Sequence, residues 1–142
     1  MFSREEAKQI RQEFWTSFGK ELPHKWLLYN TRMKEIQLKF SFEHKVAQVS
    51  LDITDADELI RDYYFEKLLS LKTVLKDSYL PVIIFVKDYV LPEGKTVSRI
   101  YVEKEGVNIY NKKFWPEVKQ FLAENMLKLE EFFDDFQDFI KD

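Results

Sequence analysis

IQLKFSFEHKVAQVSLDI, residues 36–53, is the stretch on which the fold turns. Ile36, Leu38, Phe40 and Phe42 alternate with Gln37, Lys39, Ser41 and Glu43. After a tight connection near His44-Lys45, Ala47, Val49, Leu51 and Ile53 alternate with Gln48, Ser50 and Asp52. A period of two places successive side chains on opposite faces of a strand. The stretch therefore predicts an antiparallel hairpin with one apolar and one polar face. Leu38, Phe40, Val49 and Leu51 are its expected core contribution, because a one-residue slip would turn all of them to solvent.

Helical periods flank the hairpin. Upstream, Ser3 and Glu6 have capping-box spacing, and Ala7, Ile10, Phe14 and Phe18 recur at helical intervals. Gly19 is the expected stop, and Pro23 forbids continuation. Residues 24–35 have no period and read as a loop or an irregular strand. Downstream, Asp55 and Glu58 open a helix expected to run to about Asp77, with Leu59, Ile60, Tyr63, Tyr64, Leu68, Leu71 and Leu75 on its apolar face. Val82 to Val86 is continuously apolar, which predicts a central strand or one covered on both faces. Pro92-Glu93-Gly94 marks a turn, and Val97 to Glu103 the next strand. Val107–Tyr110 is expected to extend the sheet beyond Gly106. Pro116 opens a last helix to about Ile140, roughly 35 Å long at 1.5 Å per residue.

The order α-ββ-α-ββ-α describes a two-layer α+β domain: a mainly antiparallel sheet of about four strands with three helices. At 142 residues the chain has room for one core, so residues 1–142 read as a single domain. Aromatic residues make up 16%, which lets a small domain bury much apolar area. The absence of Cys excludes disulfides, thiol nucleophiles and thiolate metal sites. No apolar stretch approaches a membrane span and no leader is visible, so the cytoplasm is the expected location and no membrane partner is expected.

Net charge is −3, unevenly distributed. Residues 1–50 carry nine Lys/Arg against six Asp/Glu, and residues 117–142 carry three against eight. Within the basic half, Lys25, Trp26, Tyr29 and Arg32 interleave cations with rings. Rings stack bases and cations meet phosphates, so the pattern suits single-stranded nucleic acid. The competing reading packs Trp26 into the core and leaves the cations in water. On the polar sheet face, Lys39, Arg99 and Tyr101 are candidates for contacting a small ligand; against this, most such faces simply meet water.

Catalytic patterns are sparse. Two His, no Cys and no Gly-x-Ser-x-Gly leave no hydrolytic triad, and the three Gly are too scattered for a phosphate loop. Glu43-x-Lys45 with Asp52 has the residue types of a restriction-endonuclease-like metal site, in which carboxylates share the ion and a Lys polarises water. Its order is reversed, and the turn at Lys45 sets the two carboxylates at opposite ends of the hairpin. No metal is expected there, and no cofactor anywhere.

Several stretches carry a resemblance: Glu13-Phe14-Trp15-Thr16-Ser17-Phe18-Gly19-Lys20, Lys25-Trp26-Leu27-Leu28-Tyr29-Asn30-Thr31, Val97-Ser98-Arg99-Ile100-Tyr101, Glu105-Gly106-Val107 and Trp115-Pro116. Together they resemble a bacterial family catalogued as a domain of unknown function, in the short stand-alone form of Bacteroidetes-type bacteria. The resemblance implies relatives that sit C-terminal to restriction-endonuclease-like domains, and hence a link to nucleic-acid metabolism or defence. It carries over no catalytic residues.

The expectation is therefore a non-enzymatic binding or assembly module. The alternatives are a metal-dependent nuclease-like phosphoesterase using Glu43, Lys45 and Asp52, and a small-ligand sensor on the polar sheet face. The last helix is richer in rings than one small layer can cover. Phe132, Phe136, Phe139 and Ile140 are thus expected at a homodimer interface, or beneath an intramolecular cap.

Overall fold

The computed structural model describes residues 2–142. Helix α1 (Arg4–Glu21) opens on the expected capping box, in which Ser3 and Glu6 satisfy each other's backbone N–H. It runs straight through Gly19 and ends at the Leu22 cap, just before Pro23. Strands β1 (Ile36–Glu43) and β2 (Val46–Ile53) form the predicted hairpin, with Leu38 opposite Leu51 and Phe40 opposite Val49. The turn places His44 at φ +46°. Leu38, Val49 and Leu51 are buried. Phe40 is half-buried, and its ring lies edge-on to Phe18 and Trp26 at 5.2 Å from each.

Three helices were expected, and four α-helices are present among the described residues. The second period divides at Leu71 into α2 (Glu58–Ser70) and α3 (Lys72–Ser78), because Leu71 adopts ψ +5° and interrupts the helix. The face of α2 also differs from its pattern. Arg61, Phe65 and Leu68 point inward, while Leu59, Ile60 and Tyr63 face solvent. Two overlapping apolar stripes were available on this helix, and the sheet selects the one that carries Phe65.

Strand β3 (Ile84–Val90) corrects the expectation of a central strand. The sheet order is β1-β2-β4-β3, with β4 (Thr96–Glu105) and β2 inside and β3 at an edge. Val82 and Val90 are exposed, and the β3–β4 register shifts between Val86 and Tyr89. A continuous apolar run cannot distinguish a sandwiched strand from an edge strand whose inner side alone is covered. Val107–Tyr110 does not extend the sheet. The chain turns back beneath the hairpin, where Val107 and Ile109 are buried and the Ile109 N–H donates to the His44 carbonyl.

All helices lie on the apolar face of the sheet. A short 3₁₀ turn (Lys112–Phe114) leads into α4 (Trp115–Lys141), whose 27 residues span about 40 Å. Phe14 is fully buried at the meeting point of α1, β1 and α4, edge-on to Phe42 and Trp115. The aromatic surplus of α4 is largely consumed within the chain. Phe132 and Ile140 are completely buried, so neither can reach a partner. Phe136 is half-buried beside Phe132 and Tyr79, and Phe139 remains exposed. The cap is supplied by α2, which packs against α4, and by Tyr79 just beyond α3, whose ring meets Phe132 and Phe136.

Candidate functional site

The outward side chains of β1 stand at the centre of three clefts. The first, of about 660 Å³, lies between β1 and the outer side of α1 and is lined by Lys8, Arg11, Gln12, Trp15, Lys39 and Phe40 among others. A second, of about 200 Å³, continues past Trp15 and Phe40 to Leu28 and Tyr29. A third, of about 360 Å³, lies over the polar sheet face between β1 and the β3–β4 arm. Lys39 lines all three.

Local structure explains this arrangement. Trp15 falls one residue off the Phe14–Phe18 stripe of α1 and so lies on the flank of the helix. Its ring is held edge-on by Phe14 at 4.9 Å and Phe18 at 6.0 Å. Lys8 and Arg11 lie along the same flank, and Arg11 donates to the Tyr110 hydroxyl at 2.9 Å. Opposite, the strand period turns Lys39 and Ser41 outward. The result is a groove with aromatic walls and cations along its rim.

The polar sheet face is less open than its pattern suggests. Gln48, Ser50, Asp52 and Arg99 are all buried. Arg99 on β4 pairs with Asp52 on β2 in a bidentate bond, Nε to Oδ1 at 2.7 Å and Nη2 to Oδ2 at 2.8 Å. Its Nη1 donates to Gln48 Oε1 at 2.9 Å, and Gln48 Nε2 donates to Glu103 Oε1 at 3.0 Å. The Tyr89 ring covers the guanidinium at 4.2 Å. Burial opposes the Arg99 charge, but the hydrogen bonds and charge of Asp52 outweigh it and hold the group above its ordinary pKa. Tyr101 stands edge-on to Tyr89 at 5.6 Å, and its hydroxyl is raised by burial and then by Glu103.

The remaining sequence candidates separate into two groups. Tyr29 is 73% exposed, and Lys25 and Arg32 are also exposed. Trp26 is half-buried, stacked on Phe18 at 6.1 Å and touched by the His24 ring at 4.4 Å, so it packs rather than presents a free face. Glu130 of α4 ties this loop down, accepting from the Leu27 N–H at 2.6 Å and lying 3.1 Å from His24 Nε2. The nuclease-like trio does not converge. Glu43 pairs with Val46 and Asp52 with Gln37, which sets the carboxylates about 20 Å apart along the strand. Asp52 is committed to Arg99, and Lys45 is exposed at the turn. Among the described residues, no cluster of three metal-ligating side chains occurs, and no helix is long and apolar enough to cross a membrane.

Sequence reasoning missed Lys8, Arg11, Trp15 and Tyr89. The Trp15 offset from its stripe was a usable signal. Tyr89 had none, because the extent of its strand was misplaced.

The fold and its clefts define a two-layer α+β domain with a basic, aromatic flank. The chain belongs to a family described as a domain of unknown function, DUF4268, whose model matches residues 10–137. No curated protein and no solved structure matches it.

Proposed function

We propose that this chain is a non-catalytic binding module that holds single-stranded nucleic acid along the flank formed by α1 and β1. The observation that carries this reading is the continuity of the first two clefts through Trp15, Lys39 and Phe40, with Lys8 and Arg11 on the rim. Cations that track a backbone beside rings that accept bases are the two requirements of strand binding without sequence preference. Tyr29, exposed at the far end, supplies a further stacking face. The alternative nuclease reading lacks support, since its carboxylates point to different environments.

The test is anisotropy of a labelled eight-residue thymidine oligonucleotide at low salt. Binding should be saturable and fall steeply with salt. The combined Lys8→Gln, Arg11→Gln and Lys39→Gln variant should bind at least about tenfold more weakly, with a log–log salt slope smaller by about 2. Tyr29→Ala should lose about 1–3 kcal/mol. Absence of saturable binding, or a triple variant equal to the parent, overturns the reading.

A second reading, assembly with another copy of this chain, is favoured by one observation. Leu59, Ile60 and Tyr63 on α2 and Phe139 on α4 are exposed, and the last two share the Lys67 ammonium.

A further inference from the structure

We infer that the cleft over the polar sheet face is a receptor for the guanine base, either as one unstacked base of a bound strand or as a free guanine nucleotide. The inference deepens the strand-binding reading and rests on it only for the first of these sources.

The cleft is a built site. Asp52, Arg99, Gln48 and Glu103 form an unbroken chain of charge-assisted and amide hydrogen bonds running from the interior to the cleft. Three of the four are buried, so the carboxylate at its end is held in place rather than free to rotate. The Gln48 amide takes one acceptor site of Glu103 Oε1, and the second site of Oε1 and both sites of Oε2 stand outside that bond. Tyr89, Leu91 and Pro92 line the cleft from the β3–β4 arm and give a planar ligand an apolar wall. The volume of about 360 Å³ falls within the ~300–1,000 Å³ typical of small-ligand sites.

The chemistry selects the base. An ionised carboxylate only accepts hydrogen bonds. It is matched by two donors side by side on one edge, and N1–H with the N2 amino group of guanine is the one such edge among the common bases. Adenine and cytosine present a donor beside an acceptor, and thymine a donor between two acceptors. A base read this way is unstacked, held by its Watson–Crick edge and packed against apolar or aromatic side chains. Lys39 stands where this cleft meets the strand-binding groove, the position for the phosphate attached to that base.

The experiment compares an eight-residue thymidine oligonucleotide with the same strand carrying one central guanosine, and adds guanosine monophosphate as a separate arm. The guanosine strand should bind about tenfold tighter. Glu103→Gln should abolish that preference while leaving thymidine binding and the melting temperature unchanged, because glutamine still accepts from Gln48. Equal binding of the two strands, with no binding of the monophosphate, overturns the inference and leaves strand binding standing. If neither strand binds, the strand reading fails. Saturable guanosine monophosphate binding that Glu103→Gln removes then upholds the inference with the free nucleotide as its source, and no binding in any arm overturns it.

Discussion

Asp52 illustrates how one residue type serves different ends in different surroundings. Read along the strand it was an outward carboxylate, available to water or metal. In the fold it is 0% exposed and engages a guanidinium that is 3% exposed. Removing one member of a buried ion pair leaves the other charged and desolvated, which costs about 3–5 kcal/mol. Asp52→Ala should therefore lower unfolding stability by that amount in urea titration. Combined replacement of Asp52 and Arg99 by apolar residues of similar volume should recover most of it, and a double variant as unstable as the single would contradict this account. Tyr79 offers a test by pH. Its hydroxyl donates to Asp135 Oδ2 at 2.5 Å, and this bond, then burial and the Asp135 charge, push its pKa up to about 12. The folded value lies above the unfolded one, near 10. The neutral phenol thus contributes stability that is fully present below about pH 10 and lost as pH rises toward 12. In ultraviolet titration Tyr79→Phe should remove a late-ionising tyrosine, and loss of an early one would refute the assignment.

At the scale of elements, legibility followed the number of sides on which a segment is buried. The hairpin was readable because one face is covered and the other polar, so its period of two survives in the residue order. The capping box at Ser3 was readable because it is local. Strand β3 was misplaced because its apolar run records an inner face and an exposed edge without distinguishing them. Leu71 was missed because the helix break is imposed by packing and not by Gly or Pro. The apolar stripe of α2 was misassigned because it offers two candidates and only the sheet chooses. The candidate surface was half legible: Lys39, Arg99, Tyr29 and Tyr101 came from pattern, Trp15 left a signal in its offset from the helical stripe, and Tyr89 needed the third dimension. The hairpin yields a graded prediction. Leu38→Ala empties a buried site and should cost about 2–5 kcal/mol. Phe40→Ala removes a half-buried ring at the cleft and should fall below the ~3–5 kcal/mol of a fully buried phenylalanine. Chemical denaturation that ranks Phe40→Ala as equal to Phe14→Ala would contradict the half-open position of this ring.

For the whole molecule the open question is whether α4 needs a second copy. Phe132 and Ile140 are satisfied internally, so the surplus has moved to the junction of α2 with the end of α4. There Leu59 is 77% exposed, Tyr63 52% and Phe139 46%. Lys67 ties the junction together, donating to the Phe139 carbonyl at 3.2 Å and standing 4.8 Å from the Tyr63 ring and 5.7 Å from that of Phe139. Tyr63 also donates to the Asp142 carbonyl at 2.9 Å. The Tyr63 hydroxyl and the Lys67 ammonium are thus engaged within the chain, and what these side chains leave for a partner is apolar area. A two-fold axis through such a patch would bury it against itself. Leu59, Ile60, Tyr63 and Phe139 together present only on the order of a few hundred Å², well below the ~800 Å² per partner of a standard interface. The expected self-association is therefore weak. In sedimentation equilibrium the chain should be monomeric at low micromolar concentration and shift toward dimer at about 100 μM and above. Leu59→Lys with Phe139→Lys should remove the shift, and exposed positions of this kind should change folding stability by no more than about 0.5 kcal/mol each. A monomer throughout that range would end the dimer reading.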